Sequence, residues 1–213
     1  MLRQLERFFL GDAASLHLDS RQFDLRHAEL LDVAESRIFR VNGAKVLKIY
    51  DTPLSQGIIT LSTLSQYRKL TSQVSNELAC RSDWLTVLGK SIPISWNVIE
   101  IDDLGEWPGT KDVWSISRFI PGTNLRYIYY PHWARQQVLS PRVLNGQFEQ
   151  MSSLVDQVSS EVNTKLGTNL TDIDLTNVIP NISDTGLILN VTDVCGIVSK
   201  VDGGFARVPI MFG

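Results

Sequence analysis

The chain has 213 residues, 43% hydrophobic and 20% charged, which is the make-up of an ordinary globular protein with room for one large domain or two small lobes. A net charge of -3 supplies no basic field to recruit nucleic acid or anionic lipid. Two cysteines, Cys80 and Cys195, are too few for a disulfide framework. They imply a reducing compartment: cytoplasmic, or a host cytoplasm if the protein is a delivered effector.

The opening MLRQLERFFLG sets Leu2, Leu5, Phe8 and Phe9 on one helical face and is too charged for a signal-peptide core. It reads as a short helix packed on its own domain. No apolar run reaches the length of a membrane span. Three Asn-x-Ser/Thr triplets, at Asn169, Asn181 and Asn190, are chance matches without a secretory signal.

SRIFRVNGAKVLKIY (36–50) is two β-rich runs joined by Asn42-Gly43, a strong hairpin signal because both residues tolerate positive φ. From Thr63 to Leu88 the spacing of Leu64, Tyr67, Leu70, Val74, Leu78, Trp84 and Leu85 predicts a helix, with Cys80 a small core residue on it. SIPISWNVIEID (91–102) and VWSISRFI (113–120) are two more strands, with Pro108-Gly109 in the turn between them.

At PGTNL (121–125) the texture changes, and a hinge is expected there. The stripe Phe148, Met151, Leu154, Val155, Val158, Val162 and Leu166 predicts a helix over 146–166, closed by Gly167 as its C-cap. A polar loop, TNLTDIDLTN, follows. Then comes a hairpin, VIPNISDTGLILNV, turning at Asp184-Thr-Gly186 and running into Asp193. The aromatic and basic stretch RYIYYPHWARQQ (126–137) reads as an irregular helix, and VDGGFAR (201–207) as a turn or a substrate-facing loop.

Five strands with one helix, a hinge, a helix, a polar loop and a hairpin ending in aspartate resemble the two lobes of a protein kinase. VLKIY resembles the strand whose lysine contacts the ATP phosphates, which implies that role for Lys48. VSNELACRSDWL resembles the helix whose glutamate pairs with that lysine, implying Glu77. SRFIPGTNL is similar to the hinge of aminoglycoside-phosphotransferase-like kinases and places Arg118 and Ile120 at the nucleotide. TDIDLTN keeps the catalytic-loop spacing with Asp172 and Asn177, and VTDVCG stands where kinases carry Asp-Phe-Gly, with Asp193.

The resemblance implies an α+β, two-lobed, protein kinase-like fold: an N-terminal lobe over 1–120 and a minimal C-terminal lobe over 121–213. Seventeen residues after Gly196 leave that second lobe truncated. It implies ATP and magnesium as cofactors, with Asn177 and Asp193 as oxygen ligands for the metal. Asp172 is the implied base. Asp174 is a second carboxylate competing for that role, and the spacing to Asn177 favours Asp172.

Two departures bear on activity. DVAESRIFRV has no glycine where a phosphate-covering loop belongs, leaving Ser36 to offer a hydroxyl and an N–H. The histidine and arginine expected before the catalytic aspartate are Leu170 and Thr171. The implied function is transfer of the γ-phosphate of ATP to a protein hydroxyl, as a minimal Ser/Thr protein kinase with a protein substrate. The same residues also fit a small-molecule kinase, a nucleotide-binding pseudokinase, or an AMP-transferring enzyme.

Overall fold

The computed structural model describes residues 15–18, 21–24, 28–33, 36–50, 59–106, 112–129, 141–168, 173–194, 198–201 and 204–207. The chain divides into two compact units, Met1–Ser65 with Ile101–Phe119, and Gln66–Glu100 with Ile120–Gly213. In chain order the elements are β1 (Ser15–Leu18), β2 (Arg21–Asp24), β3 (Glu29–Val33), β4 (Arg37–Val41), β5 (Lys45–Tyr50), α1 (Leu61–Ala79), β6 (Asp83–Val87), β7 (Lys90–Val98) and β8 (Ile101–Glu106). They continue with β9 (Val113–Arg118), α2 (Leu125–Tyr129), α3 (Pro141–Leu166), β10 (Val178–Ser183), β11 (Gly186–Val191), β12 (Val198–Val201) and β13 (Gly204–Arg207). The class is α+β, with an amphipathic helix, α3, ahead of the β10–β11 hairpin as expected.

The first unit is built on an antiparallel sheet in the order β3-β4-β5-β9-β8. Side chains alternate across a strand, so Phe39, Val41, Leu47, Ile49, Trp114 and Ile116 gather with Ala28 to form this unit's core. The turn after β4 takes three residues, with Asn42 and Gly43 both at positive φ. β1 and β2 make a separate two-stranded pair.

The second unit has a four-stranded sheet in the order β10-β11-β7-β6, in which β11 and β7 run parallel. Its core gathers Leu85, Ile94, Trp96, Val98, Leu189, Val191 and Val178 with Val74 and Leu78 of α1 and Met151, Val155, Val158 and Val162 of α3. That shared core groups 66–100 with this unit. α3 starts earlier than the expected 146, and Gly167 closes it at φ 61°. β12 and β13 pair with each other, so VDGGFAR lies partly in a hairpin.

The helix expected over 63–88 stops at Ala79. Thr60 caps its start, its hydroxyl oxygen accepting the N–H of Thr63 at 3.2 Å. Beyond it Trp84 and Leu85 belong to β6, which turns at Leu88-Gly89, both at positive φ, into β7. The expected strand 91–102 is two strands in different sheets, β7 and β8. Cys80 falls in the turn after α1, off the helical stripe, and is exposed rather than in the core. Gly186 allows the closest approach in this sheet: a Cβ there would sit 2.3 Å from the carbonyl oxygen of Pro93.

Candidate functional site

Lys48 sits in the middle of β5, opposite Ile38 of β4 and Ser115 of β9, whose own neighbour on β8 is Leu104. Leu47 and Ile49 on either side of it are buried in the core, so the half-buried lysine lies on the other face of the sheet. Lys45, three residues away, takes the core-side alternation and ion-pairs with Asp102. The register thus separates the two lysines, as their odd spacing requires. Ser36 is buried at the bend before β4. Arg118 is exposed at the end of β9 opposite Lys45, beside Phe119, whose N–H donates to the carbonyl oxygen of Ala44 at 2.9 Å. Ile120 is half-buried in the connection to the second unit.

In the second unit the polar loop meets the end of the hairpin. The N–H and hydroxyl of Thr192 both donate to the carbonyl oxygen of Asn177, at 2.8 and 3.1 Å. This extends the β10–β11 ladder by one step, since Val178 already pairs with Val191. Asn177 and the residue before Asp193 are therefore held side by side. Ile173, Val178, Val191 and Val194 are buried around them, which fixes both ends of the arrangement to the core. The hinge meets the same hairpin: a Cβ at Gly122 would lie 2.7 Å from the side chain of Ile179, so only glycine fits that approach.

Asp174 is held within the loop. Its Oδ1 accepts the N–H of Thr176 at 2.7 Å, the hydroxyl of Thr176, and the N–H of Asn177 at 3.2 Å. Short side-chain bonds of this kind stabilise a turn by occupying backbone donors that would otherwise be orphaned. The N–H of Arg126 at the start of α2 donates to the carbonyl oxygen of Leu175 at 3.0 Å and ties the loop down from outside. Asp172 lies outside the described residues. So does most of the aromatic and basic stretch after Tyr129.

Glu77 of α1 accepts the ammonium of Lys165 of α3 at 2.9 Å. That bond holds the Lys165 ammonium above its ordinary pKa. One turn further on, Arg81 makes a two-point contact with Asp83, at 2.8 and 3.0 Å, and a third bond to Glu161 of α3. The indole N–H of Trp96 donates to the same Asp83 at 2.7 Å. Hydrogen bonding to Asp83 first, then to Glu161, pushes the guanidinium further above its usual range. The Arg81 bond holds the Glu161 carboxyl below its ordinary value. These pairs fasten the end of α1 and β6 to α3, and none of them was read from the sequence except Glu77, in another role.

Asn177 and Asp193 offer oxygen donors, a set suited to a hard cation that keeps most of its waters. The residues missed by sequence reading are Thr192 and Thr176. The signal for Thr176 was local: Asp-x-Thr-Asn is a turn motif in which the first carboxylate caps the following amides.

No family model matches the chain, and no curated protein does. Among solved structures it is similar to the kinase domain of PknI from Mycobacterium tuberculosis, in a cysteine-to-alanine mutant form, at 14% identity, with 79% of this chain and 59% of that one covered and a TM-score of 0.42. A double mutant of the same domain gives 14% identity, 79% and 61% coverage, and 0.39. A structure described as the apo form of PpkA-294 gives 12% identity, 78% and 56% coverage, and 0.39. The chain spans about three fifths of the length of these kinase structures. Scores of this size carry no argument about activity.

Proposed function

We propose that the protein is an ATP-dependent phosphotransferase that moves the γ-phosphate to a protein hydroxyl. The observation that supports this best is the joining of Thr192 to Asn177, which ties Asn177 to the residue preceding Asp193 at the end of one hairpin. Phosphoryl transfer is mainly a problem of positioning and charge neutralisation, and an amide oxygen with a carboxylate is a donor set that suits a magnesium ion. When bound, the metal neutralises charge on the phosphates. Lys48, on the face of its sheet away from the core, is suited to bind phosphate oxygens.

Asp172 keeps the role of accepting the proton of the attacking hydroxyl. The bonds that Asp174 makes within its own loop favour this assignment, because they give the rival carboxylate a structural task. A second reading, a pseudokinase that binds nucleotide without transfer, is favoured by the glycine-free bend at Ser36. Phosphorylation of a small molecule and transfer of AMP are two more activities that the same residues could serve.

Thermal unfolding with and without ATP and magnesium tests nucleotide binding. A ligand held only by the native state at a hundred times its Kd adds about 2.7 kcal/mol. The expected result is a rise in Tm that needs both ATP and metal and is absent in Asp193→Ala. An unchanged Tm at millimolar nucleotide would remove this reading.

A further inference from the structure

The two edges of the second unit's sheet are treated differently by the sequence. In the hairpin closed by Asp184-Thr185, the alternation of the ladder turns the backbone groups of Ile182 and Pro180 outward. Proline has no N–H, so the β10 edge is blunted where it would accept another strand. At the other edge, β6 closes on β7 at Leu88-Gly89, so Thr86 and Trp84 are the residues whose N–H and C=O face outward. The position of the Pro93 carbonyl agrees: it points at Gly186 of β11, away from its cross-strand neighbour Trp84. Neither outward position is a proline or a charged residue, and among the described residues no further strand pairs with β6.

A groove runs beside this edge. α3 packs next to β6, and a cavity of about 410 Å³ opens between them. Its apolar part is Leu85, buried, and Leu154, half-buried; its rim is Glu149, Gln150, Ser153 and Gln157. Glu149 brings a carboxylate, and among the described residues no cation lines the cavity. Trp84, 60% exposed, borders the same opening from the strand.

We infer that the β6 edge is a docking site for an extended, basic segment of a partner polypeptide, which adds to the sheet as a fifth strand. Main-chain bonds to Trp84 and Thr86 hold the segment in register, as in other strand-addition complexes. The side chain opposite Leu85 then enters the cavity. An arginine or lysine suits it: the methylene stem lies on Leu85 and Leu154 and the cationic head reaches Glu149. This binding is independent of phosphoryl transfer, so its test does not use activity.

The probe is a fluorescein-labelled peptide Thr-Val-Thr-Lys-Thr-Val-Thr, compared by anisotropy with the same peptide carrying Glu at the centre. The lysine peptide should bind several-fold more tightly, the usual scale for a partly exposed charge pair. Thr86→Pro removes an outward N–H at an edge position that tolerates proline, and should weaken binding of both peptides about tenfold. Glu149→Lys, on an exposed helix face, should reverse the preference toward the glutamate peptide. Circular dichroism confirms that both variants fold. Failure of the lysine peptide to bind, equal binding of the two peptides, or binding indifferent to Thr86→Pro would each overturn the proposal. So would probe binding that disappears as a dimer forms in sedimentation, if Thr86→Pro abolishes that dimer, because the edge would then belong to a second copy.

Discussion

Replacing Asp174 by alanine takes away one acceptor oxygen and with it three hydrogen bonds, to the N–H and hydroxyl of Thr176 and the N–H of Asn177. The side chain is half-buried, so water recovers part of the loss. Caps of this type are worth about 1 kcal/mol, and bonds to a charged acceptor up to roughly twice that. The expected destabilisation is therefore about 1–2 kcal/mol. For a chain of this size that is roughly 2–8 °C in Tm. Asp174→Asn keeps an oxygen in the same place and should recover most of it. The loss should extend to nucleotide binding, because the loop that presents Asn177 is loosened. Unfolding followed by circular dichroism, beside ATP affinity for both variants, makes the check. If Asp174→Ala keeps full stability and full ATP affinity yet has no turnover, Asp174 is the chemical carboxylate and its assignment to holding the loop is wrong.

Lys48→Ala should leave Tm almost unchanged, since the lysine lies off the core, and should weaken ATP binding in titration calorimetry. Asp193→Ala should abolish metal-dependent nucleotide binding, whereas Asp172→Ala should keep ATP affinity and slow turnover by roughly 10²- to 10⁴-fold, the scale for losing a general base. Glu161 has its carboxyl pKa lowered by the bond from Arg81, so its contribution to stability is present above the unfolded-state value and is lost as pH falls through the folded one. Glu161→Gln should accordingly flatten the fall of the urea midpoint over the acid range; an unchanged slope would show that the pair contributes nothing.

Much of the first sheet was legible because its signals are local. In VLKIY the alternation of Leu47 and Ile49 with Lys48 fixes which side the lysine takes, and Asn42-Gly43 fixes the turn before it. The α3 stripe was equally plain, since Met151, Val155, Val158 and Val162 repeat at the helical period. The β6–β7 hairpin was not, because Leu78 and Leu85 are also spaced like one helical face. What decides against the helix is distant. β7 lies against β11 in parallel, Asn97 beside Asn190, with the Asn97 amide donating to the side-chain oxygen of Asn190 at 2.7 Å. Such a pairing across the chain leaves no local trace. At the candidate site, the resemblance to kinase motifs singled out Asn177 and Asp193, but the bonds from Thr192 to the Asn177 carbonyl depend on the register of the hairpin.

The most direct test of the account is transfer of label from γ-labelled and α-labelled ATP, with magnesium and a mixture of candidate protein substrates, in wild type and Asn177→Ala. The account predicts protein labelled from the γ-position only, dependent on metal and lost in the variant. Label arriving from the α-position would assign AMP transfer instead. No label from either, with ATP shown to bind, would contradict phosphoryl transfer and leave a nucleotide-binding protein that acts by contact.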